Sequence, residues 1–155
     1  MLERYSNHNN LALLGIRLSL GFLWLIHGIS KLLTPQGTQE FFASLGFPGV
    51  VGLLIGAIEL VGGTLLIAGL LTRVVVVPLI GIITVAMLLV QIQNPGDLPL
   101  GVSTGIERDL LFFFGMFVLL SFGPGKYSID SRYPKLQLIQ RYLSDDSGAE
   151  SKGTA

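Results

Sequence analysis

Apolar residues dominate this chain in four long runs, which alternate with shorter polar segments. The runs cover residues 11–33, 49–71, 74–92 and 106–122. With a rise of about 1.5 Å per residue, a helix of some 20 residues crosses the roughly 30 Å hydrocarbon core of a bilayer. The fourth run is apolar only from residue 110, so we expect its first, charged residues to be helical at the membrane edge. The pattern therefore predicts four membrane-spanning helices.

The segment between the first two runs, residues 34–48, predicts a short helix on the membrane surface. Thr34-Pro35 is a good helix start, Phe41 and Phe42 can enter the interface, and a Gly-Pro pair ends the segment. Such a helix either roofs a cavity between the spans or is a plain interfacial linker.

The ends of the chain are polar. Residues 1–10 predict a loosely held tail whose asparagines stop or cap the first helix, and residues 131–155 predict a second polar tail. No internal repeat and no second domain is visible between them. The sequence thus predicts an all-α integral membrane four-helix bundle over residues 11–130, with a short interfacial helix between the first and second spans.

Composition agrees with a membrane protein and excludes several kinds of site. Half of the 155 residues are hydrophobic and 13% are charged, and the mean hydropathy is +0.67, too apolar for an ordinary soluble domain. The absence of cysteine excludes thiol centres and thiolate-ligated clusters. Two histidines, His8 and His27, are too few for a metal or bis-histidine haem site. A net charge of zero, without basic clusters, argues against nucleic acid as a partner.

One carboxylate, Glu59, interrupts the second run near its middle. A charge at the bilayer centre costs about 3 kcal/mol on insertion scales, so Glu59 needs a partner or a task. Gly52, Gly56 and Gly63 share its helix face and allow a neighbouring helix to come close. Glu59 is therefore part of a proton, ion or redox-cofactor site, or else half of an ion pair that only docks two helices.

The first run carries the opposite charge on a similar stripe of small residues. Arg17, Trp24 and Lys31 share one helix face with two glycines, and His27 lies about 80° away around the helix. We expect Arg17 to pair with Glu59, because arginine can bind a carboxylate through two hydrogen bonds; the alternative is that Arg17 reaches the nearer headgroups. His27 and Lys31 are either interfacial anchors or ligand contacts, and Trp24 serves packing or stacks on a ligand.

A polar cluster is predicted at one rim of the bundle. Because successive spans run in opposite directions, Glu107, Arg108 and Asp109 should lie at the level of His27 and Lys31. Ordinary surface charge is the alternative.

Lysine and arginine outside the spans collect mainly on the other side of the membrane. By the positive-inside rule this distribution places both termini in the cytoplasm, with the protein in the cytoplasmic (inner) membrane. The residues counted on that side are Arg4, Arg73, Lys126, Arg132, Lys135, Arg141 and Lys152.

An ordered set of short motifs extends over residues 13–130. They are Gly15-Ile16-Arg17, His27-Gly28-Ile29-Ser30-Lys31, Phe42-Ala43-Ser44-Leu45-Gly46-Phe47-Pro48, Glu59-Leu60-Val61-Gly62-Gly63, Gly69-Leu70-Leu71-Thr72-Arg73 and Gly123-Pro124-Gly125-Lys126-Tyr127-Ser128-Ile129-Asp130. Together they resemble the DoxX family of small bacterial four-helix membrane proteins. The resemblance implies an oxidoreductase, since the family is usually so labelled and includes the small subunit of a thiosulfate:quinone oxidoreductase. It also singles out four polar residues, Arg17, Lys31, Glu59 and Glu107.

In one respect the chain departs from that family. Its relatives often have a histidine near the end of the third span, where this chain has Gln91 and Gln93. The departure argues against a histidine-based site.

We therefore hypothesise a quinone-linked membrane oxidoreductase or a subunit of one, in which the quinone carries the electrons and the protein supplies binding, orientation and protons. The predicted site residues are Glu59, Arg17, His27 and Glu107 for catalysis and Lys31 and Trp24 for cofactor contact, with no metal ligand. The alternative is a non-catalytic scaffold subunit or small transporter in which the ion pair is structural. The expected partners are the lipid bilayer and a redox protein, and self-association into a homo-oligomer is left open.

Overall fold

Each apolar run forms one long helix in the computed structural model, which describes residues 2–93 and 104–133, with side chains over 8–89 and 108–133. The helices are α1 Leu2–Leu33, α2 Pro35–Ser44, α3 Gly49–Ala68, α4 Thr72–Gln93, α5 Thr104–Phe122 and α6 Ile129–Arg132. The described residues contain no strand. The predicted all-α four-helix bundle is confirmed, and α2 is the predicted short helix between the first two spans.

The long helices expose apolar side chains on the outside of the bundle. By length and composition, three stretches within the described residues can each cross a membrane: His8–Leu33, Gly49–Ala68 and Thr72–Leu89. Only 28–33% of each stretch is buried within the protein. A helix that is apolar all round but mostly unburied requires a non-aqueous surrounding. The protein is a membrane protein, and lipid covers the remaining surface.

The bundle is built from two helix pairs. α1 packs along α3, α4 packs along α5, and contacts of α3 with α4 and of α1 with α5 join the pairs. Apolar side chains from all four long helices fill the centre, with Leu66, Leu79, Met116 and Leu119 fully buried. The polar groups described below lie at the two ends of this core.

α2 is held against both α1 and α3. The Thr38 hydroxyl donates to the Lys31 carbonyl at 2.9 Å, which ties α2 to the end of α1. Phe42 is buried against Gly52 of α3, where a Cβ would come within 2.5 Å of its ring. This packing therefore supports a helix that roofs a cavity between the spans, and not a plain interfacial linker.

The start of α1 differs from the prediction. The three asparagines were expected to stop or cap the first helix, but α1 begins at Leu2 and continues through them. Asn10 lies inside the helix, and its Oδ1 accepts a hydrogen bond from the Lys126 backbone N–H at 2.8 Å.

Some predictions fall on residues that the structure does not describe. These are the loop at 94–103, the second polar tail beyond residue 133, and the side chains of Gln91, Gln93 and Glu107.

Candidate functional site

Two pairs of glycines set the register between α1 and α3. A Cβ at Gly21 would come within 2.9 Å of the Gly63 carbonyl oxygen, and one at Gly28 would come within 2.7 Å of the Gly56 carbonyl oxygen. The backbones are therefore in contact at both levels, with Gly21 opposite Gly63 and Gly28 opposite Gly56. Close helix approach at small residues is the usual device where lipid removes the hydrophobic drive for packing.

Lys31 and Glu59 form an ion pair across this contact. The Lys31 Nζ lies 2.6 Å from Glu59 Oε2, and the two side chains are 25% and 4% exposed. Side chains lean toward the N-terminus of their own helix, so in two antiparallel helices these two residues lean toward each other. They meet beside Gly28 and Gly56, where a larger side chain would block them. The intramembrane carboxylate thus has a charged partner, as its position demands.

The predicted Arg17–Glu59 pair is wrong. In the register that the glycines impose, Arg17 lies opposite Ile67 and Glu59 lies opposite Leu25, a separation of about 12 Å along the helix axis. The Arg17 guanidinium instead donates to two backbone carbonyls, that of Pro124 at 2.9 Å from Nη1 and that of Tyr127 at 2.6 Å from Nη2. The Arg17 side chain extends toward the nearer end of the bundle, as the alternative interpretation expected. Its hydrogen-bond partners there are protein carbonyls and not lipid headgroups.

Residues 123–132 close that end of the bundle, which we call the clasp end. Asp130 accepts from the backbone N–H groups of Leu71 at 2.8 Å and Thr72 at 3.0 Å, and its own N–H donates to the Gly69 carbonyl at 3.0 Å. Leu71 has a φ of +51°, an unfavourable value for leucine that these contacts hold in place. These hydrogen bonds give the clasp end a structural role. Arg17 belongs to this end and is therefore not part of the candidate site.

A large cavity lies at the other end, which we call the cavity end. Its volume is about 540 Å³, and it is bounded by α2, α3, α4 and the start of α5. Its walls are Phe41, Phe42 and Leu45 of α2, Ile55 of α3, and Pro78, Gly81, Ile82, Val85, Ala86 and Leu89 of α4. Four charged residues complete the lining: Lys31, Glu59, Arg108 and Asp109.

The large cavity opens on the lipid side. Phe41 and Val85 line it, yet they are 57% and 50% exposed on the apolar outer surface of the bundle. The apolar outer surface of the bundle thus continues into the lining of the cavity.

A smaller chamber of about 110 Å³ adjoins the same ion pair. Trp24 and His27 of α1 and Phe112 of α5 line it, and Phe112 contacts both rings edge-on, with centroids 5.3 Å and 6.0 Å away. Lys31, Glu59, Arg108 and Asp109 line this chamber as well as the large cavity. The charged residues are therefore shared by a mostly apolar cavity and a smaller chamber of mixed polar and apolar lining.

The predicted rim cluster is present in part. Arg108 and Asp109 share the chamber with His27 and Lys31, as the alternation of the spans predicts. Asp109 is more deeply placed than a rim residue, since its side chain is 6% exposed, whereas that of Arg108 is 54% exposed. Glu107 belongs to α5, but its side chain is outside the described residues.

No metal site emerges from these groups. Among the side chains of residues 8–89 and 108–133, no three of His, Cys, Asp or Glu are close enough together to hold a metal ion.

Comparison with known proteins identifies the family. A family model described as DoxX matches residues 12–92, which is more than half of the 155 residues. This chain belongs to the DoxX family. The matched region includes the ion pair and the glycines that position it, and it stops before α5.

Individual relatives of this DoxX chain are also membrane proteins or oxidoreductases by name. It is 35% identical over 130 residues to the uncharacterized membrane protein Rv3486 of Mycobacterium tuberculosis, covering 77% of this chain and 80% of that protein. It is 38% identical over 80 residues to the "Putative oxidoreductase CatD" of Bacillus subtilis, covering 52% of this chain and 60% of CatD. It is 30% identical over 115 residues to the inner membrane protein YqjF of Escherichia coli, covering 74% and 85%. No solved structure gave a significant match.

The motifs that carried the family resemblance separate into two groups in the DoxX fold. Arg17, the segment 69–73 and the segment 123–130 meet at the clasp end. The other group supplies Lys31, Glu59 and the α2 aromatic residues to the cavity end. The sequence holds only a partial signal for the Lys31–Glu59 pair: Gly21 and Gly28 have the same spacing as Gly56 and Gly63, but also the same spacing as Gly49 and Gly56.

Proposed function

We propose that this protein is the membrane part of a quinone-linked oxidoreductase, with the quinone bound in the large cavity. The observation that carries the proposal is a cavity of about 540 Å³ that is open to lipid and ends at a buried lysine–glutamate pair. Small-molecule sites commonly have 300–1,000 Å³, mostly apolar walls and a few convergent polar groups.

The chemistry of the lining fits a quinone. The aliphatic and aromatic walls from α2 and α4 suit a ring with an apolar tail, and the lateral opening suits a ligand that resides in the bilayer. A bound quinone would supply the electron-accepting chemistry, which no group in the described residues provides.

The charged residues have separate tasks in this proposal. Lys31 is partly exposed to the cavity and donates a hydrogen bond to a ligand carbonyl, while Glu59 holds and releases a proton beside it. His27 lies in the adjoining chamber and serves the exchange of protons. Glu107 is a further candidate for that exchange, and Trp24 forms the chamber wall near the ligand.

The electron donor is a redox protein that meets this chain at the membrane. A homo-oligomer is also compatible with the proposal. The name of CatD supports an oxidoreductase, and that of YqjF supports the inner membrane as the location. The distribution of lysine and arginine adds that both termini face the cytoplasm.

A quinone titration of the purified protein tests the proposal, with bound quinone measured by extraction and the unfolding temperature recorded in parallel. We expect saturable binding by the wild type and at least about tenfold weaker binding by Glu59→Gln and by Lys31→Met, since hydrogen bonds to charged groups contribute ~1.5–3 kcal/mol. Glu40→Gln, on the exposed face of α2, is the matched control. A folded wild-type protein that binds no quinone would overturn the proposal.

A scaffold subunit or small transporter is the second candidate, because the ion pair also joins α1 to α3. In that case the pair only fixes how the two helices dock, and replacing both partners by apolar residues should be tolerated better than replacing one. The double variant Lys31→Met with Glu59→Leu separates the two candidates. If each single change abolishes folding while the double variant folds and keeps its activity, the pair is structural.

A further inference from the structure

The smaller chamber is lined by a residue whose buried hydrogen-bond donor has no acceptor in the described part of the chain. Trp24 is 3% exposed, and its indole Nε1–H meets no acceptor among the described residues. Buried N–H groups are nearly always paired, either within the protein or with ordered water. Because Trp24 lines the chamber, an occupant of the chamber is a candidate acceptor.

The chamber has the size and polarity that water requires. Its volume of about 110 Å³ has room for several water molecules, each of which takes roughly 30 Å³ in the liquid. Lys31 and Glu59 line it on one side, and Arg108 and Asp109 on another. A buried water needs two to four polar partners, and this lining provides them.

The chamber leads from the ion pair to the surface. Arg108 Nε donates to Asp109 Oδ1 at 3.1 Å, with the arginine side chain 54% exposed and the aspartate 6% exposed. The guanidinium thus lies at the rim while the carboxylate faces inward. Asp109 and Glu59 line the same chamber.

We propose that this chamber is a hydrated proton-access compartment for Glu59. Water enters beside Arg108 and Asp109, accepts the Trp24 N–H and reaches the Glu59 carboxylate. A proton from bulk water passes to the Asp109 carboxylate, then through the chamber water to Glu59, and it returns by the same route.

The groups that face Glu59 in this compartment come from two helices. They are His27 and Lys31 of α1 and Arg108 and Asp109 of α5, whereas the α4 wall is apolar. Lys31 pairs with Glu59 directly, so chamber water provides the other contact of the carboxylate. The inference goes beyond the proposed function, because the compartment needs neither a quinone nor an electron donor.

The single tryptophan of the chain makes the test specific. Protein labelled with ¹⁵N in the indole ring gives one indole N–H signal in lipid nanodiscs, and its decay is followed after transfer to D₂O. We expect the signal of Ala86→Leu, whose larger side chain fills the chamber, to decay at least about tenfold more slowly than that of the wild type. Ala57→Leu makes the same change in an apolar groove between α3 and α4 and should decay like the wild type.

A third variant tests the entrance. Asp109→Leu removes the buried carboxylate that accepts a hydrogen bond from Arg108 at the rim, and it should also slow the decay. If this variant does not fold, the comparison of Ala86→Leu with Ala57→Leu still decides whether the chamber is hydrated.

Several results would overturn the proposal. Wild-type decay as slow as that of the most protected backbone amides would show a dry chamber, and equal decay in Ala86→Leu and the wild type would place the exchange elsewhere. Wild-type decay in a folded Asp109→Leu would rule out entry beside Asp109. Since no quinone is added, failure here is distinct from failure of the quinone titration.

Discussion

Arg17 holds residues 124–127 to the start of the bundle through two charge-assisted hydrogen bonds. It is 2% exposed, so its replacement leaves two carbonyls without their donor in an environment that offers little water. Arg17→Leu should therefore lower the free energy of unfolding by about 3 kcal/mol, which thermal unfolding in detergent measures. Quinone affinity should stay unchanged in the folded fraction, because Lys31 lies about 21 Å further along α1.

Arg73→Leu is the control for this prediction. Arg73 is less buried and donates one longer hydrogen bond, to the Ser121 carbonyl at 3.2 Å. Its loss should lower the stability by less than about 1 kcal/mol. A normal unfolding temperature for Arg17→Leu together with lost ligand binding would contradict the structural role of Arg17.

Single residues also show what the sequence could not predict. That Glu59 needs a charged partner follows from its place in an apolar run, and this expectation is confirmed. The burial of Asp109 does not follow, because it depends on how far α5 enters the bundle after the loop that precedes it. The lock made by Asp130 was likewise hidden, since it joins residues 58 and 59 positions apart.

At the scale of elements, the contact between α1 and α3 positions the candidate site. Gly28 faces the Leu60 backbone N–H and the Gly56 carbonyl so closely that even a methyl group would force the helices apart. Gly28→Ala should therefore separate Lys31 from Glu59, lower the unfolding temperature and weaken quinone binding.

Gly15→Ala is the matched control on the same helix. A Cβ at Gly15 meets nothing within 4 Å, so the change should raise stability slightly, by roughly 0.5–1 kcal/mol from helix propensity. Equal unfolding temperatures and equal quinone affinities for the two variants would show that the α1–α3 contact does not position the pair.

The helices themselves are largely predictable from the sequence, but their mutual register is not. Long apolar runs and helix-breaking residues gave the four long helices to within a few residues, apart from the start of α1. Charge alone does not choose between Arg17 and Lys31 as the partner of Glu59. Gly21 and Gly28 are seven positions apart, but so are Gly49 and Gly56 as well as Gly56 and Gly63, so the spacing allows a register for either partner. The contacts of Gly21 with Gly63 and of Gly28 with Gly56 decide for Lys31.

For the whole molecule, the clasp end and the cavity end belong to opposite sides of the membrane. Cysteine labelling tests which side is which, because the natural chain has no cysteine. Gly37→Cys places a thiol on exposed α2, and Lys126→Cys places one at the exposed clasp end. We expect a membrane-impermeant maleimide to label only Gly37→Cys in intact spheroplasts and both variants after lysis. The reverse pattern would contradict the orientation with cytoplasmic termini.

The lateral opening beside Phe41 and Val85 has a consequence for how occupancy is measured. A ligand that enters there is drawn from a two-dimensional reservoir, so occupancy follows its mole fraction among the lipids and not its concentration in the buffer. Diluting proteoliposomes tenfold in buffer should leave the fraction of occupied cavities unchanged. Adding empty vesicles, into which the ligand also partitions, should lower that fraction.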